Sequence, residues 1–190
     1  AEAGETIQAK AYGEFCGGKG LNQSIALARA GAQVFHAGCV GPDGGILLDA
    51  LAAAGVRTEL IRESTEPSGH AVIQGNPAGQ NKITIFGGAN RNVTPAYIDE
   101  VLTHFGPGDI LLLQNEISNV PYAIEKGREK GMTVVFNPSP INGDLERCDL
   151  RLVDYLILNE VEGRRLAGTD AEGAEGVVEK LGVKYPRAIL

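Results

Sequence analysis

The chain has 190 residues, 43% of them hydrophobic and 22% charged, the balance of an ordinary globular domain that can bury a core without disulfides or metals. Its formal net charge of -7 argues against nucleic acid or an anionic membrane as partner, since binding either usually needs a basic face. No apolar run approaches the ~18 residues of a membrane span and the N-terminus lacks the regions of a signal peptide, so a cytoplasmic protein is expected.

Residues 8–15, QAKAYGEF, alternate in the manner of a strand. The overlapping stretch EFCGGKGLNQSIALARAGA, residues 14–32, reads as a glycine turn feeding a helix that places Leu21, Ile25 and Ala28 on one face and stops at Gly31. With Gly13 in front, the turn satisfies the first seven positions of a P-loop, G-x-x-x-x-G-K. The eighth position should be Ser or Thr, whose hydroxyl sits on the nucleotide's magnesium, and here it is Gly20. The turn therefore needs another ligand. Adjacent glycines let backbone N–H groups approach a ligand closely, and the helix start points its free N–H groups the same way. Lys19 adds three donors and Asn22 adds both a donor and an acceptor, a set suited to a polyhydroxyl compound as well as to an anion. A tight turn with an exposed lysine is the alternative.

QVFHAGCVG then reads as a buried strand, GGILLDALAAAG as a helix stopped by Gly55, and VRTELI as a strand. Residues 69–86 change texture: SGHAVIQ and NKITIF flank the turn-rich GNPAGQ, which is a hairpin. It belongs either to a small antiparallel sheet shared with residues 8–15 or to an edge of the main sheet. Thr94 and Pro95 cap and start the helix AYIDEVLTHF. The strand DILLLQ, the helix VPYAIEKGREKG, the strand TVVFNP, a helix-poor stretch over 139–150, the strand YLILN and the helix EVEGRRLAG follow. The helix AEGAEGVVEKLG and a strand begun by RAIL close the chain. Strand, turn and helix repeated with short connections predict an α/β fold with a mostly parallel sheet and covering helices in one domain.

Cys16, Cys39 and Cys148 are too few and too scattered for a disulfide framework or a zinc site and read as buried free thiols. His36, His70 and His104 stand apart from one another and take structural or surface roles.

In an open parallel sheet, ligands bind beyond the carboxyl ends of the strands. Those ends deliver Gln114 and Glu116, Asn137 and Pro138, Asn159, Glu160 and Glu162, and Gly41 and Asp43. Each has a plain alternative. Asn159 suits an N-cap, Glu160 and Glu162 suit the first turn of a helix, Glu116 suits a solvated loop and Asp43 a turn.

GGKGLNQSIALARAGA at 17–32 and the AGCVGPDG after it resemble the first signature of the ribokinase (phosphofructokinase-B type) family of carbohydrate and nucleoside kinases. FGGAN at 86–90, LLLQNEI at 111–117, FNPSP at 136–140 and LNEVE at 158–162 resemble later features of that family in the same order. Leu21 and Leu158 depart from the family's usual Ala and Pro. The resemblance implies a three-layer α/β/α sandwich with a small β lid, formed here by segments 8–15 and 69–86, and an ATP-dependent transfer to a primary sugar hydroxyl, ribose first. It implies sugar binding by Gly17, Gly18, Lys19, Asn22 and Glu116. Asn159 and Glu162 match the family's Asn-x-x-Glu, which implies that they arrange magnesium and the ATP phosphates, Glu162 reaching the metal through water. A monovalent cation such as K+ and a homodimer through the lid are also implied. The family's first strand is expected before residue 1. The general-base Asp and the anion hole are expected beyond residue 190, so the chain alone is expected to be inactive. Fructose, a keto-deoxy sugar acid, a nucleoside, or a noncatalytic sugar-binding role are the alternatives.

Overall fold

Parallel strands joined by helices dominate the structure, a computed structural model that describes residue 6 and residues 8–76, 80–168 and 174–185. The first helix is α1 (Lys19–Arg29), followed by β1 (Phe35–Val40), α2 (Gly45–Ala53) and β2 (Arg57–Glu63). The hairpin is β3 (His70–Gly75) and β4 (Asn81–Phe86), and a 3-10 turn over Gly88–Asn92 leads from it into α3 (Pro95–Leu102). Next come β5 (Ile110–Gln114), α4 (Val120–Glu129), β6 (Thr133–Asn137), β7 (Tyr155–Leu156), α5 (Glu160–Ala167) and α6 (Ala174–Lys184).

β1 pairs with β2 in parallel, and β5, β6 and β7 form a second parallel sheet in that order. The single main sheet expected from the sequence is thus two separately hydrogen-bonded sheets among the described residues, bridged by α1, which lies against both β1 and β5. Among the described residues the antiparallel sheet consists of β3 and β4. Residues 8–15, expected to extend it, form no strand. Strand pairing needs an edge to pair with and a surface for the alternating side chains to cover, yet Tyr12 and Phe15 are almost fully exposed and Tyr12 Oη turns to its neighbour Glu14, 2.6 Å away. The expected strand at RAIL lies outside the described residues.

Most elements form for local reasons. Thr94 accepts a hydrogen bond from Tyr97 N–H ahead of Pro95 and so starts α3. Gly31, Gly55, Gly131 and Gly168, all at positive φ, end the helices before them. In β6 the alternation that buries Val134 and Phe136 completely leaves even the other residues half-covered, as expected for a strand flanked on both sides. Val134, Phe136 and Ile124 centre the larger core, to which α3, α4 and α6 contribute. A smaller cluster of Leu21, Leu51 and Val56 holds α1 against α2. Among the described residues no helix is long and apolar enough to cross a membrane. The three cysteines form no disulfide among the described residues and are half-buried rather than buried, with Cys16 Sγ 3.3 Å from the Ile46 carbonyl oxygen.

Candidate functional site

Helix α1 begins at Lys19 because Gly18 adopts φ 95°, a left-handed conformation that glycine alone takes without strain. No side chain caps this end, so the first N–H groups of the helix face outward. A Cβ added at Gly17 or Gly18 would meet no described atom within 4 Å. Packing among the described residues therefore does not require glycine at 17, and the turn leaves room among them for a ligand's atoms to come close to the backbone. Gly20 differs: a Cβ there would lie 3.0 Å from Gln114 Oε1, so α1 approaches the end of β5 closely.

Two contacts lock that approach. Lys19 Nζ forms an ion pair with Glu116 Oε1 at 3.2 Å, with both side chains about one-third exposed. One turn further on, Gln114 donates from its amide to the Gln23 side chain. Glu116 is thus not a solvated loop carboxylate. It joins Lys19 at the mouth of the glycine turn, giving one strong donor and one strong acceptor side by side. Asn22 is exposed on the same helix. Beneath it, His36 Nδ1 and Ser24 Oγ are 2.8 Å apart, and burial keeps the His36 imidazole below its ordinary pKa.

β5, β6 and β7 run parallel, with Gln114 opposite Asn137, so their carboxyl ends share one rim. Asn159 follows β7 at that rim. Its Oδ1 accepts from Glu162 N–H at 2.8 Å, and Glu162 Oε2 accepts from Asn159 N–H at 3.1 Å. This is a complete capping box, so the N-cap reading of Asn159 holds, and Glu162 is turned back toward the start of the helix. Asn159 and Glu162 are brought together with each other; Lys19 and Glu116 form the other pair. The second carboxylate oxygen of Glu162 can still accept from water. Among the described residues no group of three or more His, Cys, Asp or Glu is arranged to hold a metal ion. A lone carboxylate of this kind fits magnesium, which holds its waters tightly, better than it fits a fully protein-ligated ion. Glu160 pairs with Arg164 at 2.9 Å on the surface of α5.

Asp43 is a turn residue: its Oδ1 accepts from Ser68 N–H at 2.7 Å, a bond that holds its carboxyl below the usual carboxylate range. The Ser68 hydroxyl in turn accepts from Gly41 N–H at 2.9 Å, tying the β1–α2 loop to the base of the hairpin. Sequence reasoning passed over Asn115, which is 6% exposed and donates its amide to the Pro140 carbonyl at 2.8 Å and to Asn142 Oδ1 at 3.0 Å. No local signal marked it, since β5 ends at Gln114 and its partners lie in the segment after β6.

The family described as pfkB family carbohydrate kinase matches residues 1–188. The chain is 32% identical over 191 residues to a ribokinase of Haemophilus influenzae, covering 98% of this chain and 62% of that protein. It is 35% identical over 168 residues to a ribokinase of Bacillus subtilis, covering 85% and 56%. Its structure is similar to that of Arabidopsis thaliana ribokinase complexed with ribose and ATP, with a TM-score of 0.80 and 29% identity over 97% of this chain and 62% of that one. The chain therefore spans less than two-thirds of the length of these relatives.

Proposed function

Because the chain belongs to the pfkB family of carbohydrate kinases, we propose that it carries the sugar-holding part of an ATP-dependent kinase that phosphorylates the primary hydroxyl of a pentose, with ribose converted to ribose 5-phosphate. The observation that carries this reading is the Lys19–Glu116 pair at 3.2 Å in front of an uncapped, unobstructed glycine turn. Sugar hydroxyls both donate and accept, and each finds its complement in this pair. Gly17, Gly18 and the first turn of α1 supply backbone donors, and Asn22 supplies an amide. The ribokinase names of the relatives support ribose over fructose, a keto-deoxy sugar acid or a nucleoside.

Phosphoryl transfer depends mainly on positioning and on neutralising phosphate charge. In this reading Lys19, Glu116 and Asn22 fix the sugar. Asn159 and Glu162 would hold magnesium through its water shell, where the ion would offset the charge of the phosphoryl group that ATP supplies. A monovalent cation such as K+ and a general-base Asp belong to the same proposal and are assigned to residues outside this chain, so the chain alone binds sugar without turning it over. The exposed apolar residues of the hairpin, Val72, Ile73, Ile83 and Ile85, suit a homodimer contact. A cytoplasmic setting accords with soluble sugar and ATP as partners.

Calorimetric titration of the purified chain with ribose and with ATP, before and after Lys19→Ala, tests the assignment. Ribose binding should fall at least tenfold, while ATP binding is unchanged. Loss of ATP binding instead would return the nucleotide to the glycine turn. Robust ATP-dependent phosphorylation of ribose by the 190-residue chain would overturn the claim that it is inactive alone.

A further inference from the structure

The three consecutive residues at the end of β5 are anchored in two directions. Gln114 and Glu116 reach α1, through Gln23 and Lys19. Asn115, between them, reaches the opposite way and donates to Pro140 O and Asn142 Oδ1 in the segment after β6. It is one of three buried polar or charged residues among those described. A buried amide with both bonds made is directional, and losing them leaves a polar group without water. Two residues beyond Glu116, Ser118 donates its N–H to the Asn90 carbonyl at 3.0 Å and its hydroxyl to the Arg91 carbonyl at 2.8 Å. The backbone on either side of Glu116 is therefore held, on one side by Asn115.

We propose that Asn115 is a positioning residue: its amide clamps the β5 loop to the segment after β6, and so sets the Glu116 carboxylate against Lys19 at the glycine turn. The function of that pair rests on the sugar reading above, whereas the clamp itself does not. Glu116 sits on a loop rather than within a strand, so its side chain can be placed only through its neighbours. Of these, Asn115 links the loop ahead of the carboxylate to the segment after β6. Freed from the clamp, the loop keeps its length and charge but loses its register against α1. The ion pair, about one-third exposed and weak on its own, does not hold the register alone.

The test uses the 190-residue chain and two variants, Asn115→Ala and Asn142→Ala. The second removes one acceptor from the far side at an exposed position, so it decides the matter even if the first fails to fold. The side-chain NMR signals of Glu116 and Lys19 are read without ligand, with Lys19→Ala as the reference for an unpaired Glu116. Expected is a shift of the Glu116 γ-methylene toward that reference in the variants, with the buried methyls of Ile124 and Val134 unmoved. Glu116 signals that coincide with the wild type in every folded variant would overturn the proposal, as would a shift matched by equal movement of the core methyls. Ribose titration should then show affinity about tenfold weaker in Asn115→Ala. A wild-type chain with no response to ribose would sink the sugar reading, while the ligand-free signals would still decide the role of Asn115.

Discussion

Tyr97→Phe isolates one hydroxyl whose work is visible in the structure. Between Phe35 and Ala37 the pairing of β1 with β2 slips by a residue, Phe35 opposite Arg57 but Ala37 opposite Leu60, leaving a bulge in β2. The Tyr97 side chain, 4% exposed, enters from α3 beside this irregularity. Its oxygen accepts from Gly38 N–H at 2.6 Å, and its proton is within reach of the Leu60 carbonyl at 2.5 Å and the Gly38 carbonyl at 3.1 Å. The shorter contact takes the proton, so one hydroxyl serves a donor on β1 and an acceptor on β2. Burial pushes its pKa up to about 12, so it stays protonated across the ordinary pH range. Phenylalanine keeps the ring and its packing but leaves a backbone N–H and a carbonyl without this partner, at a cost of about 1–3 kcal/mol. For a chain of this size, a loss of about 2 kcal/mol lowers Tm by roughly 4–8 °C. Urea denaturation followed by circular dichroism at neutral pH gives the difference directly. A change below about 0.5 kcal/mol, the range of neutral surface substitutions, would refute the view that the hydroxyl joins the two strands.

Two further outcomes follow from the same geometry. His36 is held below its ordinary pKa by burial, so the unfolded chain binds its proton more readily than the folded one; its contribution is full above about pH 6.5 and lost as pH falls through the depressed value. Denaturation midpoints at pH 7 and pH 5 should therefore diverge in the wild type and converge in His36→Gln, by at most ~1.4 kcal/mol per pH unit for one proton; identical pH dependence in both would count against it. Gly41→Ala would place a Cβ 2.3 Å from the Glu66 carbonyl oxygen and 2.5 Å from Ser68 N, backbone atoms that cannot turn aside, and should destabilise by about 1–3 kcal/mol. An unchanged thermal midpoint would show that the loop has slack that the structure does not suggest.

The elements legible in the sequence were those whose causes are local. Thr94 with Pro95 starts α3 and the glycines end helices within a turn of their own positions. The order of motifs carried the family, and the carboxyl-end rule led to Glu116 and Asn159. Two things were not legible. Residues 8–15 alternate like a strand, but alternation is silent about whether an edge is there to receive it, and among the described residues the hairpin strands pair with each other. Asn115 went unmarked between Gln114 and Glu116, because its partners, Pro140 and Asn142, lie 25 and 27 residues away along the chain. Asn159 and Glu162 show the reverse, for the N-cap and first-turn readings offered for them are met together in one capping box across three residues.

The unequal division of the hydrophobic core bears on how the site behaves in time. Glu116 follows a strand whose Leu113 belongs to the large cluster, whereas Lys19 rides on a helix held by the small cluster of Leu21, Leu51 and Val56. Segments with fewer buried contacts open at lower free energy than the global unfolding event. The glycine turn therefore belongs to the softer half of the molecule and its acidic counterpart to the harder half. A ligand that touches both would tie the more sparsely packed part to the more densely packed one, and amide hydrogen exchange along α1 should slow on binding far more than exchange along β5 and β6.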